Sequence, residues 1–281
     1  MENGIMYSAK EIFATHGHGV CRELGQHFIF DENINRKIVA AAGDVEGKTV
    51  VEVGPGPGGL TLEILKLSPR KLYLLEYDPN WAAVWRGLQS NFGDKLEVLE
   101  VDALRFDLYG LAPQLVISNL PYNISTQLLG RWLPRFDLCE KFLLMFQKEV
   151  ADRLVALPAS KSYGRLSVLV QWKSQVRKIC DLEPGSFCPP PQVRSSLLRL
   201  LPYPRDQVEC CDFFDGLSRM VSDIFAHRRK VAVKSMGKYF ENPAKALSAL
   251  GYAPSARAEE INVDDFLKMY QMHQKATTVD K

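Results

Sequence analysis

One stretch of this 281-residue chain decides its fold class: Thr49-Val50-Val51-Glu52-Val53-Gly54-Pro55-Gly56-Pro57-Gly58-Gly59. Its first five residues form an apolar, β-branched run, which predicts the first strand of a parallel sheet. Residues 60–67 are typical of a helix, and the glycine-rich loop separates the two elements. Glycine lets a ligand approach the backbone closely, and strand, glycine loop and helix together build a nucleotide-type site. The stretch therefore predicts an α/β fold with a doubly wound, Rossmann-like sheet.

The two prolines of the loop indicate which ligand it binds. Pro55 and Pro57 lack the backbone N–H donors that an anionic pyrophosphate requires. S-adenosylmethionine carries no phosphate, and because its sulfonium is cationic, an acidic rim that includes Glu52 suits it. A glycine loop alone is a weak signal, so a dinucleotide-dependent oxidoreductase is the alternative at this point.

Acidic residues follow the next two predicted strands. Glu76 comes directly after the apolar run 71–75, near the offset at which a carboxylate binds ribose hydroxyls. Asp102 follows the run 96–101 and is placed to accept a hydrogen bond from the adenine amine of the cofactor. Each carboxylate alone is typical of a solvated strand end or a helix cap. Three successive strand ends that carry Gly, Glu and Asp favour S-adenosylmethionine as the cofactor.

A tetrapeptide at the end of the next predicted strand suggests the chemistry. Residues 115–117 form a short apolar run, and Asn119-Leu120-Pro121-Tyr122 emerges from its carboxyl end. The N6 amine of adenine is a poor nucleophile because its lone pair is delocalised, unless acceptors hold its hydrogens. The side chain of Asn119 and the carbonyl of Leu120 or Pro121 can supply those acceptors. Tyr122 can stack on an extruded base, an interaction worth roughly 1–3 kcal/mol.

We therefore predict methyl transfer to the exocyclic amine of a nucleobase, with residues 119–122 as the catalytic group. The structural alternative is a turn in which Asn119 caps a helix and Tyr122 belongs to the core. Transfer would occur by direct in-line attack on the sulfonium methyl, without a covalent enzyme intermediate and without a metal. Positioning and electrostatics would supply most of the catalysis.

Further motifs extend the pattern over nearly the whole chain. They are Gly25-Gln26-His27-Phe28, Gln147-Lys148-Glu149-Val150-Ala151-Asp152-Arg153, Tyr163-Gly164-Arg165-Leu166-Ser167, the segment 184–196 and Phe225-Ala226-His227-Arg228-Arg229-Lys230. With the strand ends above, these motifs resemble those of the ribosomal RNA adenine dimethyltransferases of the KsgA family, from about Leu24 to about Phe266. The resemblance implies a Rossmann-like methyltransferase domain followed by a smaller, all-helical domain.

The resemblance also implies which residues bind S-adenosylmethionine. The family segment Gln-Asn-Phe-Leu matches residues 26–29, and the other cofactor positions match single residues of the strand ends. The implied cofactor-binding residues are Gln26, His27, Ile29, Gly54, Gly56, Glu76, Asp102 and Asn119. One position departs from the family, which usually has Asn where this chain has His27. An imidazole can still donate or accept a hydrogen bond, and it makes a pH-dependent affinity conceivable.

The implied substrate is a pair of adjacent adenosines in a hairpin loop near the 3′ end of 16S ribosomal RNA. Each would become N6,N6-dimethyladenosine, so the same site must also accept the monomethylated amine. Asn123 resembles the bacterial enzymes, since relatives that act on eukaryotic small-subunit RNA often have Gln there. The loop 188–191 and the cluster 228–230 favour an enzyme of the small subunit. The erythromycin-resistance methyltransferases, which modify large-subunit RNA, typically have a different C-terminal lobe. A related adenine-N6 methyltransferase that acts on another RNA is the alternative.

Charge suggests where RNA would bind. The net charge of +2 is low for a nucleic-acid-binding protein, so an RNA-binding surface must be local. Residues 219–245 contain seven basic side chains and two acidic ones, a basic patch of the kind that attracts phosphates. We predict that RNA is bound by Arg228, Arg229, Lys230 and Lys234. A solvated helix face is the alternative for any single Lys, and a non-catalytic ribosome-assembly factor would keep the same patch.

We expect three segments: an N-terminal extension 1–24, a methyltransferase domain 25–205 and a helical RNA-binding or substrate domain 206–281. The sequence contains no apolar run near the ~20 residues of a membrane span and no signal-type N-terminus. Its six cysteines form no C-x-x-C pair, which favours reduced thiols and argues against a structural metal. We therefore expect a cytoplasmic monomer that acts on 16S ribosomal RNA within the small (30S) subunit or its precursor.

Overall fold

The structure is a computed structural model that describes residues 7–17, 19, 24–204, 211–226 and 230–279. Its strands are β1 Thr49–Val53, β2 Lys71–Glu76, β3 Leu96–Glu100, β4 Leu115–Asn119, β5 Lys141–Gln147, β6 Ser174–Leu182 and β7 Ser195–Pro202. Its helices are α1 Ala9–His16, α2 Glu32–Ala40, α3 Gly59–Lys66, α4 Pro79–Gln89, α5 Ser125–Trp132, α6 Lys148–Leu154, α7 Arg165–Lys173, α8 Cys211–Phe225, α9 Val233–Met236, α10 Pro243–Ala249 and α11 Val263–Val279. None of these described helices is long and apolar enough to cross a membrane.

The seven described strands form one sheet in the order β3-β2-β1-β4-β5-β7-β6. The pairs β1–β2, β1–β4, β2–β3 and β4–β5 are parallel, whereas β5 and β7 are antiparallel. β1 is buried along its whole length, as expected for an apolar, β-branched strand of a parallel sheet that is covered on both faces. The predicted doubly wound α/β fold is confirmed.

The strand order creates a switch point between β1 and β4. From β1 the chain proceeds outward through β2 to β3, and it then returns to β4 on the other side of β1. In open α/β sheets such a point leaves a crevice outside the carboxyl ends of the strands, where ligands bind. The glycine loop follows β1, Glu76 ends β2 and Asn119 ends β4. The topology therefore places all three at one edge of the sheet.

The glycine loop is shaped by its packing against aromatic side chains. Gly56 and Gly58 have φ angles of +51° and +89°, which residues with a side chain rarely adopt. A Cβ at Gly58 would lie 2.1 Å from the ring of Trp85, and one at Gly56 would lie 2.4 Å from Phe28. Trp85 also donates its Nε1–H to the Gly56 carbonyl at 2.7 Å. Glycine is therefore required here for both backbone conformation and space.

The N-terminal segment contributes a helix to the core. Ile12 of α1 is 2% exposed and belongs to the hydrophobic cluster around the sheet. Phe13 stacks on Trp81 at a centroid distance of 6.1 Å and contacts Phe28 at 6.0 Å. The predicted extension 1–24 thus contains a docked helix at residues 9–16, which its sequence alone did not indicate.

The chain divides into two compact units. Unit 1 comprises residues 1–151 and 177–202, and unit 2 comprises residues 152–176 and 203–281. Within unit 2, α7 packs against α8 and α11, and Trp172 stacks on Phe214 with ring centroids 5.6 Å apart. Because α7 buries its apolar side chains among these helices, the segment that contains it groups with the C-terminal helices. The sequence predicts instead that this segment belongs to a methyltransferase domain ending at residue 205.

The substitution Gly58→Ala should destabilise the protein by roughly 2–5 kcal/mol, because it adds backbone strain and a clash with Trp85. Gly87→Ala is the matched control, since a Cβ at this exposed α4 position meets no atom within 4 Å. Replacing a helical Gly by Ala there should stabilise the protein by roughly 0.5–1 kcal/mol. Urea unfolding of both variants measures the difference, and equal midpoints would contradict the steric account of the loop.

Candidate active site

A cleft at the carboxyl edge of the sheet brings together the residues predicted to bind the cofactor and to act in catalysis. Its lining includes Gln26, His27, Ile29, Gly54, Gly56, Glu76, Asp102, Asn119, Leu120, Pro121 and Tyr122. All of these residues belong to unit 1. The cleft thus joins the segment before α2 to the ends of β1, β2, β3 and β4.

Glu76 is held by backbone donors on both sides. Its Oε2 accepts a hydrogen bond from Gly56 N at 3.3 Å, and its Oε1 accepts one from Asp78 N at 2.8 Å. A carboxylate therefore already engages the Gly56 amide, which adds to the effect of Pro55 and Pro57 in disfavouring a pyrophosphate on this loop. Burial raises the pKa of Glu76 to about 7, although these backbone hydrogen bonds oppose the rise.

Glu52 is a second buried carboxyl group that lines the cleft. Thr61 donates its hydroxyl to Glu52 Oε2 at 2.7 Å. Burial raises the pKa of Glu52 to about 8, and the nearby charge of Glu76 adds to the rise. At neutral pH Glu52 is therefore mostly uncharged, and the negative rim is weaker than the sequence suggests.

Asp102 lies in the turn after β3. Its Oδ1 accepts a hydrogen bond from Leu104 N at 2.9 Å, and Arg105 Nε lies 3.5 Å from its Oδ2. The Arg105 side chain is 89% exposed, so this ion pair is a weak surface contact. The carboxylate is consequently oriented by the backbone turn, as the sequence-based alternative of a helix or turn cap also requires.

The side chain of Asn119 has one partnered end and one unpartnered end. Its Nδ2 donates to the His27 carbonyl at 2.8 Å, which fixes the orientation of the amide. Its Oδ1 is buried and has no hydrogen-bond partner among the residues that the structure describes. Buried polar atoms without a partner are uncommon in native proteins. This oxygen is therefore suited to accept a hydrogen bond from a ligand in the cleft.

The backbone after Asn119 forms a tight turn into α5. Leu120 is 1% exposed and anchors the turn in the core. The Pro121 carbonyl accepts a hydrogen bond from Ile124 N at 3.1 Å, which closes the turn. The sequence suggests the carbonyl of Leu120 or of Pro121 as the main-chain acceptor for the target amine. The Pro121 carbonyl is used in this turn, whereas the Leu120 carbonyl does not take part in it.

Tyr122 lines the cleft and is positioned from two sides. Its hydroxyl forms a short hydrogen bond with Ser195 at the start of β7. Its ring stacks against the imidazole of His27, with centroids 5.4 Å apart and an interplanar angle of 28°. Burial raises the pKa of Tyr122, so its phenol is neutral near pH 7. Tyr122 is half-buried, so part of its side chain lines the cleft.

The segment 26–29 is fixed by contacts to the rest of unit 1. Gln26 Nε2 donates to Asp78 Oδ2 at 3.2 Å, and Phe28 exchanges backbone hydrogen bonds of 3.0 and 2.8 Å with Cys188. His27 Nδ1 donates to the Pro189 carbonyl at 2.7 Å, and because a carbonyl can only accept, this nitrogen carries a proton. The imidazole that stands where the family usually has Asn thus bridges the 188–189 loop and Tyr122.

The predicted RNA-binding residues are only partly described. Arg228 and Arg229 lie outside the described residues. Lys230 and Lys234 are exposed in unit 2, Lys234 on helix α9. Lys238, also in the basic segment, forms an ion pair with Asp223 at 3.1 Å. Lys230 and Lys234 therefore present positive charge to solvent, whereas the charge of Lys238 is partly neutralised.

Two residues that the sequence did not single out contribute to the site. Ser195 holds Tyr122 from 73 positions away, and no local pattern connects the two. Asn35 lines the cleft and is 1% exposed. It occupies a buried position of α2 with Ile38 and Val39, where an apolar residue is expected. That interruption of the apolar pattern is the signal that could have revealed Asn35.

A switch-point cleft with a proline-containing glycine loop and acidic strand ends defines a Rossmann-like, S-adenosylmethionine-dependent methyltransferase. The fold is similar to that of a dimethyladenosine transferase from Plasmodium falciparum, with a TM-score of 0.76 and 25% identity, covering 89% of this chain and 98% of that one. It is also similar to the fold of the 23S rRNA methyltransferase ErmE, with a TM-score of 0.66 and 21% identity, covering 88% and 99% of the two chains.

The model of the family described as Ribosomal RNA adenine dimethylase matches residues 18–275. Similar proteins named Ribosomal RNA small subunit methyltransferase A occur in Rhodospirillum rubrum, at 42% identity over 92% of this chain and 89% of that one, and in Paramagnetospirillum magneticum, at 41% identity over 92% and 91%. The chain belongs to the ribosomal RNA adenine dimethylase family, as its motifs predict. It is therefore an S-adenosylmethionine-dependent ribosomal RNA adenine dimethyltransferase.

The raised pKa of Glu76 predicts a pH-dependent affinity for S-adenosylmethionine. Only the ionised carboxylate accepts hydrogen bonds from both ribose hydroxyls, and Glu76 loses its charge as the pH falls through about 7. The dissociation constant should therefore rise about tenfold between pH 8 and pH 6. Isothermal titration calorimetry across this range measures the effect.

Two variants identify the group responsible for that pH dependence. Glu76→Gln should bind more weakly at pH 8 and lose most of the tenfold change, because the carboxyl group that titrates near pH 7 is gone. Glu52→Gln, the control at the other buried carboxyl group, should retain the change centred near pH 7. A wild-type affinity that does not vary with pH would show that Glu76 does not bind the ribose.

Proposed function

We propose that the protein transfers methyl groups from S-adenosylmethionine to N6 of two adjacent adenosines in the 3′-terminal hairpin loop of 16S ribosomal RNA. The products are N6,N6-dimethyladenosines, formed during maturation of the small subunit. The observation that carries the proposal is the buried Oδ1 of Asn119, which has no partner among the described residues and lies in the same cleft as the glycine loop. The protein acts as a cytoplasmic monomer on the 30S subunit or its precursor.

Different residues of the cleft bind different parts of the cofactor. Glu76 binds the ribose hydroxyls and Asp102 binds the adenine amine, since Glu76 ends β2 and Asp102 follows the adjacent parallel strand β3. Gly54 and Gly56 let the cofactor lie against the backbone of the loop. The segment 26–29 with His27 closes the same cleft. When bound, S-adenosylmethionine supplies an electrophilic methyl group.

Acceptors at the end of β4 activate the target amine. Asn119 Oδ1 and the Leu120 carbonyl each hold one hydrogen of adenine N6, which directs the nitrogen lone pair away from the ring. The Pro121 ring fixes the local backbone. The Pro121 carbonyl accepts the hydrogen bond from Ile124 N that closes the turn, so it is already in use. After the first transfer the amine keeps only one hydrogen. One of the two acceptors then suffices, so the same arrangement serves both methylations.

Tyr122 supplies the platform for the extruded base. Stacking contributes roughly 1–3 kcal/mol, which helps offset the cost of removing the base from its neighbours. His27 covers one face of the Tyr122 ring, so the base stacks on the other face. Ser195 holds the phenol in place. The alkylated amine is a strong acid and loses its proton to solvent, so no side chain needs to act as a tuned base.

Unit 2 supplies contacts to the RNA. Arg228, Arg229, Lys230 and Lys234 bind phosphates of the ribosomal RNA. The exposure of Lys230 and Lys234 and the excess of basic residues between 219 and 245 support this assignment. We propose that residues from 206 onward form the core of the RNA-binding domain, joined by residues 152–176, which group with them.

The substitution Asn119→Ala should reduce methyl transfer at least a hundredfold, because it removes an acceptor from the reacting amine. Affinity for S-adenosylmethionine should fall less than tenfold, since the lost Nδ2 bond only tethers the His27 backbone. Gln127→Ala, an exposed position on α5, is the control and should leave both quantities unchanged. Single-turnover rates and calorimetric affinities separate the two effects, and near-wild-type transfer by the Asn119 variant would refute its role.

The substrate is tested with unmethylated small subunits and labelled cofactor. We expect label only in two adjacent adenosines of the 3′-terminal hairpin, first as monomethyl and then as dimethyl product. Naked 23S ribosomal RNA is the parallel substrate, and preferential labelling there would assign the enzyme to large-subunit RNA instead. Absence of transfer to either RNA, with cofactor binding intact, would favour a non-catalytic assembly factor.

A further inference from the structure

Asn35 is a buried polar residue with an unpartnered oxygen in the cofactor cleft. It is 1% exposed, and its Nδ2 donates to the Ile29 carbonyl at 3.0 Å. Its Oδ1 has no hydrogen-bond partner within the part of the chain that the structure describes. Reversing the amide would set two oxygens against each other at Ile29, so the orientation is determined. The oxygen is therefore the end of the amide that remains to be satisfied.

The surroundings of Asn35 are built around its amide. A Cβ on Gly59 would lie 2.5 Å from the Ile29 carbonyl oxygen and 2.7 Å from Asn35 Nδ2. Only a glycine at the start of α3 therefore allows the three groups to meet. Asn35, Ile29 and Gly59 all line the cleft. Leaving a buried acceptor unpaired is costly, and a ligand with a donor group would remove that cost.

The strand order indicates which donor of the cofactor reaches Asn35. S-adenosylmethionine offers an adenine amine, ribose hydroxyls and an α-ammonium group as donors. Asp102 after β3 and Glu76 at the end of β2 serve the first two, so the ligand extends from β3 through β2 toward β1. Asn35 lies on α2, which packs against α3, the helix that follows β1. The donor that remains at this end is the α-ammonium of the methionine portion.

We propose that Asn35 Oδ1 accepts a hydrogen bond from the α-ammonium group of S-adenosylmethionine, while its Nδ2 fixes the Ile29 carbonyl. The inference rests on the proposed assignment of this cleft to the cofactor. It adds a cofactor-binding residue outside the strand ends and the segment 26–29. A single side chain thereby links the conformation of residue 29 to recognition of the amino-acid end of the ligand.

The test is a cycle of two ligands and two proteins, measured by isothermal titration calorimetry. The ligands are S-adenosylhomocysteine and its desamino analogue, in which hydrogen replaces the ammonium group. The proteins are wild type and Asn35→Leu, which removes both polar groups at similar volume. Asn35→Ala is a second variant. Asn33→Leu, at an exposed position of the same helix, is the control.

Wild type and the Asn33 control should bind the desamino analogue roughly 10- to 100-fold more weakly than S-adenosylhomocysteine, as expected for a hydrogen bond to a charged group. Both Asn35 variants should bind the two ligands within about threefold of each other, because the partner is gone. If the desamino analogue binds more weakly than S-adenosylhomocysteine by the same factor in wild type and in the Asn35 variants, Asn35 has only a structural role.

A measurement on the wild-type protein covers the case in which the variants do not fold. The side-chain amide resonances of Asn35 should shift on addition of S-adenosylhomocysteine and shift much less with the desamino analogue. Identical shifts with both ligands would overturn the proposal. If wild type binds neither ligand, the assignment of the cleft to the cofactor is itself wrong. If wild type binds both ligands equally well, the cleft still binds the cofactor, and only the proposed role of Asn35 is wrong.

Discussion

The hydrogen bond from Asn119 Nδ2 to the His27 carbonyl is the contact on which the active site depends. A carboxamide is planar and carries its donor and acceptor on opposite sides, so anchoring the nitrogen dictates where the oxygen points. The same bond ties the end of β4 to the segment that precedes α2. The proposed activation of the substrate and the wall of the cleft would thus be coupled through one side chain. Asn35 repeats the arrangement: its nitrogen donates to the Ile29 carbonyl, and its oxygen has no partner in the described part of the chain.

The electrostatics of the cleft suit a cationic ligand. Burial raises the pKa of Glu52 to about 8 and that of Glu76 to about 7, so the two carboxyl groups are only partly charged near neutral pH. A cationic ligand in the cleft favours the ionised form of Glu76. Because Glu52 is mostly uncharged at neutral pH, the site avoids two adjacent buried anions.

The fold and the strand-end residues could be predicted because their signals are local. Strand β1 begins and ends where its β-branched run does. Glu76 and Asn119 end their strands, and Asp102 lies in the turn that follows β3. Contacts between distant segments left no such signal. Ser195 meets Tyr122 only because β7 lies beside β5 in the sheet. The stacking of His27 on Tyr122 and the grouping of 152–176 with the C-terminal helices likewise arise from tertiary packing, which no sequence periodicity encodes.

The packing of Trp85 against the glycine loop has a practical consequence. The indole is fully buried, fills the position that a side chain at Gly58 would occupy, and donates its N–H to the Gly56 carbonyl. Indole emission depends on the polarity and hydrogen bonding around that N–H group. Trp85 is one of four tryptophans, and in a variant that keeps it as the sole tryptophan its emission spectrum would report changes at the glycine loop in real time without an added label.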